Sequence, residues 1–148
     1  TVRFCDEAMM ARFATFKRLA PYLAEKQKEL ATANAGLGAD EIAALPINRR
    51  ALTNLGTFRA YVQAYIEENP KFHTDMTMMA RQLAPTPEGL PLEIYVFSND
   101  TNWANYEGIQ ADMMDHLLSV LPLFDLKIFQ NPTGADLQAL TGPRGDGS

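Results

Sequence analysis

The sequence has a single cysteine, two histidines, no excess of positive charge and no long apolar run, and each scarcity narrows what the chain can do. With Cys5 alone no internal disulfide can form, and a reducing compartment fits. Cys5 is also a poor nucleophile, because the adjacent Asp6 and Glu7 raise a thiol's pKa where activation needs it lowered. A net charge of −5 argues against a binder of phosphate backbones, which needs a basic face. The most apolar region, Leu117 to Phe124, is broken by Ser119 and Pro122. It falls far short of the about 20 apolar residues that span a bilayer, so this chain does not cross a membrane by itself. No signal peptide opens it: Thr1 to Asp6 is a short strand-like piece before a charged helix. The chain begins without methionine and in mid-pattern at Val2 and Phe4, as expected of a piece cut from a longer protein.

The motifs of common enzymes are missing too. Gly134 and Gly142 are isolated, nothing matches the phosphate-binding glycine loops, and no serine sits in a nucleophile-elbow context. No cofactor is expected.

What is present is an ordinary globular balance, 47% hydrophobic and 21% charged, enough to build a core. From Asp6, a plausible N-cap, to about Asn34 the chain reads as a helix or a kinked helical pair. Met9, Phe13, Phe16, Ala20, Leu23 and Leu30 form one apolar stripe, which either packs on the main domain or meets a partner helix in an oligomer. Pro21 either kinks this helix or starts a second one, and Gly36 and Gly38 stop it. Residues 39–47 are a connector.

Arg49 to Asn54 reads as a short strand. Phe58, Tyr61, Val62, Tyr65 and Ile66 then mark an amphipathic helix, capped by Thr57 and ended by Asn69-Pro70. Strands are expected in Met76 to Leu83 and Leu92 to Phe97, joined as antiparallel neighbours by the turn-rich Ala84 to Pro91. A second long helix follows, capped from Asn99, Asp100 or Thr101 and closed by Pro122. Its apolar face is Trp103, Tyr106, Met113, Met114, Leu117, Leu118 and Leu121. A last strand, Leu126 to Phe129, meets the turn Asn131-Pro132-Thr133-Gly134, and Gly142 to Ser148 is a flexible end. The order strand, helix, strand, strand, helix, strand predicts an α+β fold with a ferredoxin-like split βαβ sheet (βαββαβ) and an N-terminal helical extension. The division expected is 1–47 for the strand remnant and helical insertion, 48–135 for the α+β domain and 136–148 for the tail.

Chemistry-bearing clusters are few. His73 and Asp75 share one side of an extended segment at a loop-to-strand junction. Asp112, Asp115 and His116 share a helix face at i, i+3 and i+4, the spacing of a partial metal site and equally of a solvated face on which Asp112 pairs with His116. A metal-dependent enzyme would need His73 beside these three. Arg81, Gln82, Glu93 and Tyr95 are the one cluster a free-standing ligand-binding regulatory module could use on such a sheet. Met76, Met78 and Met79 read as core, Asn99-Asp100-Thr101 as a cap in place of a glycosylation site, and Arg144-Gly145-Asp146 as a chance tripeptide. The residues themselves point to an interaction or assembly module, with no catalytic, cofactor-binding or metal-binding residue. Trp103, Tyr106 and Phe129, if exposed, suit an oligomer interface.

Several stretches occur together in one order: Leu52-Thr53-Asn54-Leu55-Gly56-Thr57-Phe58-Arg59-Ala60-Tyr61, Asp75 to Leu83, and Pro87-Glu88-Gly89-Leu90-Pro91 leading into Leu92-Glu93-Ile94-Tyr95. Trp103, Tyr106-Glu107, Ile109-Gln110-Ala111-Asp112, Asp115-His116-Leu117 and Pro132-Thr133-Gly134 continue the series. Over roughly residues 48 to 135 this order resembles the miniconductance branch of the small-conductance mechanosensitive (MscS-like) channel family. Pro21-Tyr22-Leu23 in the N-terminal segment is similar to an insertion that branch carries. The resemblance implies the C-terminal cytoplasmic domain of a bacterial inner-membrane channel. There seven subunits form a cage with side openings, and tension during osmotic downshock opens a pore to ions and small osmolytes. On that implication the domain serves assembly, solute filtering and regulation. It partners other copies of itself, binds no nucleic acid, and meets the membrane only through an N-terminal part that this chain lacks.

Overall fold

The computed structural model describes residues 1–38, 49–72, 76, 78–99 and 102–130. Within them the chain is α+β, with four helices and one two-stranded antiparallel sheet. None of these helices is long and apolar enough to cross a membrane.

Helix α1 (Glu7–Phe13) starts where expected, because the Asp6 carboxylate accepts the Met9 N–H at 2.8 Å. After a 3-10 turn at Lys17–Leu19, α2 (Ala20–Ala33) begins with Pro21 in its first turn. Proline there removes only an N–H that has no helical partner, so Pro21 starts a second helix and does not kink one. Met9, Phe13, Leu19 and Leu23 are buried in the same core as the later helices. That is the packing on the main domain which the stripe allowed.

Helix α3 (Asn54–Glu68) is central, burying Leu55, Phe58, Tyr61, Val62 and Ile66. Its cap is Thr53, not Thr57: Thr53 Oγ1 accepts the Gly56 N–H at 3.1 Å, and Asn54 Oδ1 accepts the Leu55 N–H at 2.9 Å. Two side-chain acceptors side by side start the helix one turn early. Thr57 becomes a buried first-turn residue whose hydroxyl donates to the Thr53 carbonyl at 2.8 Å. A Cβ on Gly56 would lie 3.0 Å from Thr53 Oγ1, so a larger residue there would press on the capping hydroxyl. The early start also shortens the expected strand at 49–54. What remains is one antiparallel bridge, Phe4 to Thr53, made by Cys5 N–H to the Leu52 carbonyl (2.8 Å) and Asn54 N–H to the Arg3 carbonyl (3.0 Å).

Strands β1 (Met79–Gln82) and β2 (Leu92–Tyr95) pair with Met79 opposite Tyr95 and Gln82 opposite Leu92. The tight turn between them exchanges two backbone hydrogen bonds between Thr86 and Gly89, and Gly89 has φ +125°, a conformation that side chains disfavour. Alternate residues Ala80 and Ile94 pack toward the core, and Gln63 of α3 ties the sheet on by accepting the Ala80 N–H at 3.0 Å and donating to the Met78 carbonyl at 3.1 Å.

Helix α4 (Trp103–Val120) is capped by Asn102, whose Oδ1 accepts the Ala104 and Asn105 N–H groups. Asn99 does not cap it. Its side-chain amide donates instead to the carbonyls of Pro70 (2.8 Å) and Phe72 (3.3 Å). Past α4 a 3-10 turn, Leu121–Phe124, carries Pro122 at its start. Asp125 follows in the left-handed region (φ 54°, ψ 36°), which reverses the chain. Residues 126–130 then form no strand; Leu126 is buried and 127–130 are exposed. The expected connector at 39–47, Asp100 and Thr101, the turn at 131–134 and the tail lie outside the described residues.

Phe124 sits at the centre. Its ring stacks on Phe13 (centroids 5.0 Å apart) and meets Phe58 (5.2 Å, edge-on), Tyr61 (5.6 Å) and Phe16 (5.8 Å). Asp125 beside it bonds Arg3 at 2.7 Å and Arg12 at 3.2 Å, tying the N-terminal segment to the end of α4.

Candidate functional site

Helix α4 carries an apolar arc wider than its neighbours cover. Met113 and Leu117 are buried, whereas Trp103, Tyr106, Met114 and Leu118 on the same arc are exposed. Trp103 is 72% exposed, Tyr106 39% and Phe129 50%, so none of the three belongs to the core. The Trp103 and Tyr106 rings stack with centroids 6.0 Å apart, which holds a flat aromatic surface toward solvent at the start of the helix.

Farther along α4, Met114 and Leu118 form one wall of an apolar groove of about 650 Å³. Leu92 and Ile94 of β2, Val2 from the N-terminal segment and Phe129 from the chain past Asp125 complete it. The groove exists because β2 presents one face to α3 while residues 126–130 run past the sheet without pairing to it. Trp103 and Tyr106 are not among its walls.

The other sequence candidates separate. Arg81 and Glu93 are cross-strand partners bonded at 3.0 Å, and Tyr95 lies on their side of the sheet with Phe97 packed edge-on at 5.3 Å. Gln82 points the other way and accepts from Arg59 at 2.9 Å, so the four do not converge. His73 and Asp75 lie outside the described residues. Asp112 and Asp115 are exposed while His116 turns inward, and among the described residues no ion pair joins Asp112 to His116. No group of three histidine, cysteine or acidic residues that could hold a metal ion occurs among the described residues. Cys5 is buried, and that burial pushes its thiol pKa up, the opposite of activation.

Sequence reasoning missed the setting of His116. Its Nε2 lies 2.7 Å from the Tyr61 hydroxyl, and its ring stacks on Tyr65 with centroids 4.7 Å apart. The Arg18 guanidinium lies over both tyrosine rings, donates to the Tyr61 hydroxyl at 3.0 Å and bonds Glu68 at 2.8 Å. The phenol oxygen accepts from Arg18, which leaves its own hydrogen free for Nε2 of a neutral His116 imidazole. Burial, and then the nearby Arg18 charge, hold its pKa below the ordinary 6.5. Only the 3.6-residue spacing of Tyr61 and Tyr65 hinted at one shared surface; their partners lie 43 to 55 positions away.

This arrangement makes stability depend on pH. The unfolded chain takes up the histidine proton first as pH falls below 6.5, so the contribution of His116 is complete above that value and is lost on the way down to the lower folded pKa. Asp125, held below 3.8 by its bonds to Arg3 and Arg12, adds a separate loss only at more acid pH. Chemical denaturation across pH 7 to 5 should show the midpoint falling for the native chain. For His116→Gln, which still accepts from Tyr61, the midpoint should be nearly flat across the same range. Equal slopes would remove His116 as the source.

No family model matches the chain, and no solved structure matches it.

Proposed function

We propose that the chain is an assembly module that works through contacts between copies of itself: the cytoplasmic domain of a small-conductance mechanosensitive channel subunit. In this reading the rest of the subunit spans a bacterial inner membrane, tension gates the pore, and several copies of this domain, seven by the family resemblance, frame the cytoplasmic approach for ions and small osmolytes. It performs no chemistry on a substrate.

One observation supports it most. A helix face with stacked Trp103 and Tyr106, and a groove walled by Met114, Leu118 and Phe129, leave two apolar surfaces that the described residues do not cover, more than a chain acting alone usually exposes. The ordered sequence resemblance over residues 48–135 supplies the family. The ferredoxin-like arrangement belongs to the same proposal. The β1–β2 hairpin lies between the two long helices in the required order.

Light scattering on the isolated chain tests the assembly part. A multi-subunit mass is expected, with Trp103→Glu or Phe129→Glu shifting it to monomer at unchanged melting temperature. A well-folded monomer at ~100 μM, well above the dissociation constants of stable assemblies, would overturn it. Recording from membrane patches that contain the full-length parent tests the channel part. Tension-activated current is expected, and its absence in patches that hold the protein would remove the family assignment while leaving assembly to stand or fall on the scattering.

A further inference from the structure

A second cleft, of about 470 Å³, opens between α2, residues 50–53 and the outer side of α3. That size is ordinary for small-molecule sites, which run from about 300 to 1,000 Å³. The chain as a whole is acidic, at net −5, yet this cleft is walled by Lys26, Arg50 and Arg59 and, among the described residues, by no acidic one. Two of the cations share a carboxylate: one oxygen of Glu29 takes Lys26 at 2.8 Å and Arg50 at 3.6 Å. Arg59 donates to the neutral amide of Gln82. Among the described residues, three cations against one carboxylate leave an excess of two positive charges.

These charges are placed, not scattered. The backbone of Arg50 is pinned to the end of α2, where Asn34 donates to its carbonyl at 3.0 Å and accepts its N–H at 2.9 Å. Lys26 lies over the Tyr22 ring at 5.9 Å. Burial raises the Tyr22 hydroxyl pKa while Lys26 and Arg59 both oppose the rise, so both cations act at the same phenol. Leu30, Leu52, Ala60 and the Tyr22 ring give the cleft an apolar side, with Thr53 and Gln63 as neutral polar walls beside them.

We propose that this cleft binds an organic phosphate monoester. The phosphate would sit among Lys26, Arg50 and Arg59, with its organic part against Tyr22, Leu30 and Leu52. A phosphate dianion matches the excess of two charges, and guanidinium groups bond its oxygens in pairs, which a carboxylate monoanion uses less fully. The site is independent of the channel reading and survives its failure.

Calorimetric titration with phenyl phosphate and, separately, inorganic phosphate tests the site in the chain as it stands. Phenyl phosphate should bind saturably with one site per chain and more tightly than inorganic phosphate. Arg50→Gln and Arg59→Gln should each weaken it about tenfold, as loss of one charge-assisted pair does. Arg59 is exposed, so Arg59→Gln should melt like the native chain, which separates lost binding from lost folding. No saturable binding, binding unchanged in both variants, or equal affinity for the two probes would each overturn the proposal; the last would leave only bare charge attraction.

Discussion

Replacing Phe124 with alanine should lower the free energy of unfolding by about 3–5 kcal/mol, the range for an aromatic ring removed from a tight core. Phe124 is fully buried and its ring touches four other aromatic rings, drawn from α1, from the link that follows it and from α3. None of these neighbours can collapse into the space without leaving another, so the cavity term adds to the lost transfer energy. Phe129, five positions on and half exposed, gives the control: Phe129→Ala should change stability by no more than about 0.5 kcal/mol. Urea denaturation of both variants decides. A loss at Phe124 as small as that at Phe129 would mean that this cluster does not organise the core.

The second large effect is expected at Asn54, a polar side chain with no exposure at all. Its Oδ1 accepts the N–H groups of Arg3 (3.0 Å) and Leu55 (2.9 Å), and its amide donates to the carbonyls of Thr1 (3.0 Å) and Phe124 (3.1 Å). Every valence is used, and the four partners come from three distant parts of the chain. Asn54→Ala strands all four, at a cost of about 2–4 kcal/mol once partial relaxation is allowed, since each buried unsatisfied group costs about 1–3 kcal/mol. Asn54→Asp is the sharper probe. It keeps both acceptor roles but sets a carboxylate against two carbonyl oxygens, so it should be worse than alanine near neutral pH. It should recover part of the loss on acidification, when the protonated acid can donate to one carbonyl. The native chain, by contrast, loses stability as pH falls. Opposite slopes in denaturation midpoint would identify the donor role of Asn54, and parallel slopes would refute it.

Much of the helical framework could be read from periodicity. Tyr61, Val62, Tyr65 and Ile66 announce α3, and Met113 and Leu117 announce α4. Turn chemistry placed the hairpin loop, because Pro87 and Gly89 allow few alternatives. Boundaries and coverings were less legible. Thr53 and Thr57 are both good caps, and the choice fell to Asn54, whose carbonyl oxygen starts the helix early and whose partners at Arg3 and Phe124 no local pattern reveals. Periodicity marked the whole arc from Trp103 to Leu121 as apolar, yet only Met113 and Leu117 along α4 are buried, since spacing says which side chains share a face and not what lies against them. The candidate sites fared in the same way. His116 was seen beside Asp112 and Asp115 because those are its helical neighbours, whereas its working partners Tyr61, Tyr65 and Arg18 come from two other elements. Lys26, Arg50 and Arg59 are dispersed in sequence and meet only when α2 folds back across α3.

The bond between Arg3 and Asp125 spans 122 positions of the chain, and that span sets a delay during synthesis. Residues 1–23 leave the ribosome well before their anchors at Asn54, Phe124 and Asp125 are made. At about 5–20 residues per second, Arg3 waits on the order of ten seconds before its carboxylate partner has been polymerised. Through that interval Met9, Phe13 and Leu23 have no complete core to enter, and the nascent chain carries them uncovered. A chaperone that captures short apolar helices would find its substrate in residues 7–33, and only while the chain is being made.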